Sequence, residues 1–363
     1  MTNTHHRLAV VGIGAIAGMH ARAIADLPNA TLVAGSCRTE AKGRKFTEQF
    51  GGNWYADFNE MLDTEKPTAV SIATPSGAHL EPALAAIERG IPVLIEKPIE
   101  ITTERIDIML EAADKAGVPI GGIFPQRFNP VVKAVHEAAA SGRFGEVAII
   151  NTYVPWWRDD DYYAPDRWQG TFKLDGGGAL MNQSIHGVDA IQWLAQAIDS
   201  NGDPGVNPVE QVFAFTGKRG HDANLIEVED TCVAVLKYRS GALGQILAAT
   251  SMWPGQLRRV QIAGRDGSAE ILEEQLVHYQ FRNESAEDEM VRNRFSGDSA
   301  SEGGASDPMA IDYSNHTRNI AAFLDALDGK GELPVDGREA RKAVAIIEAI
   351  YESANTGRAV TVN

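Results

Sequence analysis

Glu96-Lys97-Pro98 closes the apolar run Pro92-Val93-Leu94-Ile95. A lysine ammonium at the end of a buried strand is a candidate proton carrier, because its pKa moves readily with its surroundings. His186 is a second candidate, since imidazole exchanges protons near neutral pH. Asn182, His186, Asp189 and Trp193 are spaced i, i+4, i+7 and i+11, so they share one face of a helix. Met181, Ile185, Val188, Ile191 and Leu194 flank them. A polar stripe on so apolar a helix either lines a pocket or finds partners in the core. The competing readings are a solvated Lys97 and a core-bonded His186.

Gly12-x-Gly14-x-x-Ala17 follows the apolar run Leu8 to Val11 and opens a helix. The first glycine permits the tight turn, the second admits a pyrophosphate, and the small third residue lets helix and strand pack closely. Ala15 and Ile16 then sit at a helix N-terminus, where free N–H groups attract phosphate. The second strand ends in Ser36-Cys37-Arg38-Thr39, with no carboxylate before Glu40. A carboxylate there would bind a ribose 2′-OH, and an Arg suits a 2′-phosphate. NADP(H) is therefore favoured over NAD(H), with Cys37 and Arg38 beside the ribose.

Tyr153, Trp156, Trp157, Tyr162, Tyr163 and Trp168 crowd one segment. Arg158, Asp159, Asp160, Asp161, Asp166 and Arg167 are interleaved with them. Aromatic faces suit the C–H faces of a sugar ring, and charged side chains suit its hydroxyls. The alternative is a subunit contact, where exposed aromatics also gather. No metal is expected: Asp159–Asp161 reads as a solvated turn, and His5, His6, His136, His221, His278 and His316 lack ligand spacing. Cys37 and Cys232 are the only cysteines, which excludes a disulfide framework, a CxxC site and a four-cysteine zinc site. No GxSxG elbow or P-loop occurs.

Short apolar strands alternate with helices as far as Phe124, the pattern of a doubly wound parallel sheet. Residues 1–125 are assigned to a dinucleotide-binding domain, and 126–363 to a substrate-binding and oligomerisation domain. In the latter, Gly176-Gly177-Gly178 opens a long helix to about Ile198. Repeated strands between Val209 and Leu272 then predict a large, mainly antiparallel, open-faced sheet. Glu284 to Pro308 reads as a surface loop, and Tyr313–Leu327 and Arg338–Thr356 as amphipathic helices.

The 363 residues suit two cores. With Lys plus Arg at 33 and Asp plus Glu at 49, the net charge is −16. This argues against nucleic-acid and anionic-membrane partners. No run reaches the roughly 18–20 apolar residues of a transmembrane helix. Few residues precede Leu8, leaving no room for a secretory signal, so a cytoplasmic location is expected.

The ordered motifs resemble the Gfo/Idh/MocA family, the glucose–fructose oxidoreductase and inositol dehydrogenase group. They are Gly12-x-Gly14-x-x-Ala17 with His20, Ala73-Thr74-Pro75-x-x-x-His79, Glu96-Lys97-Pro98, Arg127-Phe128-Asn129-Pro130, Gly142-x-x-Gly145-Glu146-Val147, Gly176-Gly177-Gly178-Ala179-Leu180, and His186 with Asp189. Val335-Asp336-Gly337-Arg338-Glu339-Ala340 and Ile350-Tyr351-x-Ser353 complete the set. The resemblance implies a Rossmann domain, an α/β domain whose open sheet packs between subunits, and a homodimer or homotetramer. It implies hydride transfer between NAD(P) and a hydroxyl or carbonyl of a sugar, polyol or derivative. Lys97 matches the family's catalytic lysine and His186 the His of its Asp-x-x-x-His pair. Thr74, Pro75, His79, Glu96 and Lys97 join the turn residues as cofactor contacts. The substrate set is Lys97, Arg127, Trp156, Trp157, Tyr163, Arg167, Trp168, Asn182 and His186. Asn182 departs from the family's Asp, and an amide cannot raise the His pKa as a carboxylate does. A glycosidase acting through transient NAD-dependent oxidation and a non-catalytic sugar sensor are the alternatives.

Overall fold

The computed structural model describes residues 4–199, 202–222, 224–295 and 313–363. It divides into two compact units. In the first, β1 (His6–Val11), β2 (Ala30–Ser36), β3 (Asn53–Tyr55), β4 (Ala69–Ile72), β5 (Val93–Ile95) and β6 (Ile120–Gly122) alternate with α1 (Ala17–Ala25), α2 (Glu40–Phe50), α3 (Phe58–Glu65), α4 (Leu80–Ile87) and α5 (Thr103–Ala116). The sheet is parallel throughout, in the order β3-β2-β1-β4-β5-β6. Its strand order reverses between β1 and β4, the point at which such sheets bind ligands at their C-terminal ends. β4 and β5 are buried at every position, as strands covered on both faces must be. The pair β3 and α3 had no signal in the alternating pattern.

The second unit begins with α6 (Pro130–Ala140), capped by Asn129, whose side chain accepts the Val131 N–H at 2.8 Å. β7 (Val147–Pro155) follows, then a π-helical turn over Ala179–Ser184, α7 (Ile185–Ile198), β8 (Val209–Gly217), β9 (Thr231–Tyr238), β10 (Leu243–Ala249), β11 (Arg259–Gly264), β12 (Gly267–Leu272), β13 (Gln275–Phe281) and α8 (Ala286–Phe295). With β14 (Val360–Thr361) the strands form a sheet in the order β13-β12-β11-β7-β10-β9-β8-β14. Every pairing is antiparallel except β10 with β7. β9 shows the strand period: Cys232, Ala234, Leu236 and Tyr238 are buried, whereas Val233, Val235 and Lys237 are exposed. Part of the expected 284–308 loop is therefore helix, and 296–308 lies outside the described residues.

Two more helices, α9 (Ser314–Leu327) and α10 (Gly337–Thr356), end the chain's helical content. The first unit comprises Met1–Pro125 and Asp312–Arg341; the second comprises Gln126–Ile311 and Lys342–Asn363. The sequence reading places everything after 125 in one domain, whereas by contact Asp312–Arg341 groups with the first unit. The cause is burial: Ile320, Phe323 and Leu324 of α9 share one apolar cluster with Leu8, Val10, Ile24 and Leu94. Asn319 seals the join by accepting the Phe124 N–H at 2.9 Å. Among the described residues no helix is long and apolar enough to cross a membrane.

Candidate active site

The turn after β1 shows why its glycines are needed. Gly12 has φ +94°, and a Cβ there would stand 2.5 Å from the Thr74 nitrogen. Any side chain would drive β1 away from the end of β4. Gly14 differs, since a Cβ placed on it meets nothing within 4 Å. The open space lies over the start of α1, whose N-terminus has no side-chain cap. Uncapped N–H groups facing open space are the features of a phosphate cradle, so the residues present fit a dinucleotide. Ala15 is exposed and Ile16 half-buried at this terminus. At the end of β2, Cys37 donates its thiol to Thr39 O at 3.3 Å and Arg38 is exposed. The nearby Glu40 is paired with Arg44 at 2.7 Å, so it is not poised as a ribose ligand.

Lys97 follows β5 and is half-buried. Its peptide bond to Pro98 is cis. Its backbone N–H donates to Glu96 Oε2 at 3.0 Å. The other Glu96 oxygen is 2.8 Å from His20 Nε2, and His20 Nδ1 lies 2.6 Å from Ser71 Oγ. His316 Nε2 on α9 approaches the same oxygen at 3.9 Å. Burial alone would raise the Glu96 pKa. The hydrogen bond and charge of His20, aided by the charges of His316 and Lys97, reverse that and bring it to about 2. Glu96 is therefore an ionised clasp for the Lys97 backbone. His79 also has a bracing place. It is buried, with Nδ1 2.9 Å from Pro98 O and Nε2 2.9 Å from Thr74 O, so it braces two loops. Burial lowers its pKa. His20, Glu96 and His316 also bring three atoms of metal-ligating type within 4.8 Å, a grouping that their spacing in the chain does not reveal.

The Glu96 clasp makes a pH prediction. A carboxyl whose folded pKa is about 2, against 4.5 when unperturbed, stabilises the fold above the unfolded value. That stability is lost as pH falls through the window between the two. The melting-temperature gap between wild type and Glu96→Gln should be constant above about pH 5 and shrink below about pH 4.5. A gap independent of pH would contradict the ionised clasp.

In the second unit, Gly176-Gly177-Gly178 leads into the π turn rather than straight into α7. A Cβ on Gly178 would stand 2.0 Å from Glu229 O. The Glu229 carboxylate accepts the Gly178 N–H at 3.0 Å, the Leu180 N–H at 2.8 Å and the Tyr351 hydroxyl at 3.0 Å. Glu229 thus caps the turn, a role that no sequence motif marked. The stripe through α7 then separates into parts. Asp189 is fully buried and takes Arg127 bidentately, at 2.8 and 2.6 Å. Trp193 stacks on His136 with ring centroids 3.6 Å apart. Arg127, expected among the substrate contacts, is held in this internal ion pair. His186 is half-buried, and Asn182 is buried on the π turn.

The aromatic segment divides in the same way. Trp156 is buried under the Arg158 guanidinium, and Tyr163 is buried with its hydroxyl donating to Thr250 Oγ1 at 2.9 Å. Both side chains pack against their neighbours. Trp157 and Trp168 are half-buried and Arg167 is exposed. His221 clamps the segment, with Nε2 donating to Arg158 O at 2.8 Å and Nδ1 3.1 Å from Asp230 Oδ2. Burial opposes both charges, and the mutual hydrogen bond outweighs it, raising the His221 pKa and lowering that of Asp230.

Two family models match the chain. Residues 6–122 match the NAD-binding Rossmann fold of the Gfo/Idh/MocA oxidoreductase family, and 136–362 match its C-terminal alpha/beta domain. The D-glucoside 3-dehydrogenase of Escherichia coli K12 is 26% identical, over 99% of this chain and 98% of that protein. The crystal structure of the WlbA dehydrogenase from Bordetella pertussis, in complex with NADH and UDP-GlcNAcA, superposes with a TM-score of 0.87. It is 29% identical, over 100% of this chain and 99% of that one. The WlbA structure from Chromobacterium violaceum, with the same two ligands, has a TM-score of 0.85 at 30% identity, over 100% and 97%.

Proposed function

Since the chain belongs to the Gfo/Idh/MocA oxidoreductase family, and is accordingly a nicotinamide-dependent enzyme of sugars and polyols, we propose that Lys97 is its proton shuttle on a cyclic sugar derivative. The observation that carries this is the placement of Lys97 at the C-terminal end of β5, with its backbone clasped by an ionised Glu96. When bound, the nicotinamide supplies or accepts the hydride. Gly12, Gly14, Ala15 and Ile16 would hold its pyrophosphate, with Thr74 and Pro75 at the end of β4 beside them. In the oxidative direction Lys97 Nζ takes the proton of the reacting hydroxyl, and His186 assists. Asn182 and His186 read the substrate hydroxyls, and Trp157, Arg167 and Trp168 contact the ring. The test is an absorbance screen with NADP(H) and NAD(H) against free, anhydro, amino, acid and nucleotide-linked sugars and inositols. UDP-GlcNAcA comes first because the two WlbA structures carry it. No change in reduced nicotinamide with any member would sink the reading.

NADP(H) is the preferred cofactor in this proposal, supported by the exposed Arg38 and the lack of a carboxylate ending β2. Arg38→Ala should weaken NADP(H) about tenfold or more, the scale of a charge-assisted hydrogen bond, and leave NAD(H) nearly unchanged. Titration of both nucleotides measures this, and equal losses would refute it.

The assembly proposed is a homodimer or homotetramer through the open sheet face. Phe215 is 67% and Val235 53% exposed, and Val233 and Leu243 join them on neighbouring strands. Contiguous exposed apolar surface of this kind marks an association site. Light scattering should find an oligomer in the wild type and monomer after Phe215→Asp with Val235→Lys. A monomeric wild type removes the proposal. The cellular setting proposed is the cytoplasm, supported by a chain whose only cysteines, Cys37 and Cys232, offer no disulfide framework.

A further inference from the structure

A lone apolar side chain at a protein surface needs no explanation. Trp253 is 76% exposed and is not alone. Its ring meets Trp157 edge to face, with centroids 5.7 Å apart and planes at 87°. Trp157 lies in turn over the His221 ring, at 5.7 Å and 19°. The turn that carries Trp253 is fixed to the end of β7. The Met252 N–H donates to Trp156 O at 3.1 Å, and the Gln256 N–H to Pro155 O at 2.8 Å. Within the turn the Gly255 N–H donates to Met252 O at 2.7 Å, and Gly255 has φ +96°. The two indoles therefore make a square corner on a held backbone, with Trp253 as its open wall. Ring contacts connect this corner to the candidate substrate residues. His221 meets Tyr163 at 4.9 Å, and Tyr163 meets Tyr162 at 4.9 Å. The Tyr162 hydroxyl accepts from Gln183 Nε2 at 2.8 Å and from Asn182 Nδ2 at 3.5 Å. Asp159, Asp160 and Asp161 lie in the chain between Trp157 and Tyr162, and all three are exposed.

We propose that Trp253 and Trp157 form a subsite for a second sugar ring, attached to the one that is oxidised, so that the preferred substrate is a glycoside or disaccharide. The carbon-bound hydrogens of a pyranose are slightly positive and meet the negative face of an indole. Two indoles at a right angle hold a ring from two sides, which fixes its orientation as one face alone does not. Trp157 stands between the two rings, and Trp253 takes the outer one. The exposed carboxylates that follow Trp157 choose among outer rings. They accept hydroxyl hydrogens and repel phosphate. A neutral, hydroxyl-rich ring is therefore favoured over the diphosphate-linked base of a nucleotide sugar. The inference rests on the reading of Asn182, His186 and Trp157 as substrate contacts, and extends that site to Trp253.

The test takes the fastest-reacting ring of the screen, or glucose if no free ring reacts, in four forms: free, as its methyl glycoside, with a glucosyl ring attached, and linked to UDP. In the wild type, kcat/KM should be about tenfold higher for the glucosyl form than for the methyl form, the scale of one good aromatic contact. The UDP form should be no better than the methyl form. Trp253→Ala should lower the glucosyl-to-methyl ratio about tenfold, chiefly through KM, and Trp253→Phe should restore most of it. Melting temperature and light scattering of both variants should match the wild type, because the ring is 76% exposed. A wild type that handles the glucosyl and methyl forms equally overturns the inference and leaves the reading beneath it standing, as does a ratio that Trp253→Ala does not move. A UDP form that is the best of the four, with an advantage lost in Trp253→Ala, gives the corner to a base and overturns the second sugar. An oligomer that dissociates in Trp253→Ala makes Trp253 a subunit contact instead. A wild type inactive on the whole screen and on all four forms overturns the underlying reading as well.

Discussion

Lys97→Met should lower kcat by about a hundredfold or more, the usual loss when a positioned acid–base group is removed. Methionine keeps a stem of similar length and loses only the ammonium. It also keeps the backbone N–H that Glu96 Oε2 accepts at 3.0 Å, so the turn after β5 should stand. Nucleotide affinity should therefore remain near the wild-type value, because the cradle at Gly12 and Gly14 is untouched. Stopped-flow turnover beside fluorescence titration of NADPH separates the two effects. Near-native turnover would remove Lys97 from the mechanism. A loss confined to nucleotide binding would make it a cofactor ligand instead.

Arg127→Ala should cost about 3–5 kcal/mol of stability, the scale for leaving one member of a buried ion pair uncompensated. The Arg127 and Asp189 side chains are 3% and 0% exposed. The guanidinium also lies over the Trp193 ring at 5.4 Å, so truncation removes packing too. Urea melts should show the loss directly. Arg127→Met with Asp189→Leu should be less damaged than the single change, because an apolar pair leaves no charge behind. An Arg127→Ala protein that melts like wild type and shows only a raised KM would return Arg127 to the substrate contacts.

These outcomes bear on what the chain made legible. The glycine turn, the strand that ends at Lys97 and the parallel alternation are local patterns, and local patterns can be read in order. The strand at β9 was legible for the same reason, but its exposed face was not, since Val233 and Val235 are as apolar as their buried neighbours. β3 was not legible, being only one exposed and two half-buried residues with no period to detect. The π turn was hidden because Ala179–Ser184 carries the same residue types as the helix it precedes. Pairings across sequence distance were hidden altogether. Nothing near Glu96 announces His316, and nothing near Arg127 announces Asp189. Ser71 did leave a signal, as a hydroxyl inside the buried strand Ala69–Ile72, where a polar group needs a partner. The Asn at 182 was visible as a departure, but the Asp175 carboxylate that its amide meets required the fold of the intervening turn.

The return of Asp312–Arg341 to the first unit has a consequence for synthesis. Domains usually form as their residues leave the ribosome, N-terminal ones first. Here the leading 125 residues emerge with the seat of Ile320, Phe323 and Leu324 vacant and with Leu8, Val10 and Leu94 uncovered on that side. At about 5–20 residues per second, that apolar seat stays open for on the order of 10–40 s while Gln126–Ile311 is translated. A nascent chain stalled between Pro125 and Tyr313 should thus be protease-sensitive in its nucleotide-binding half and a ready client for chaperones that grip apolar surface. Release past Leu327 should end both properties together.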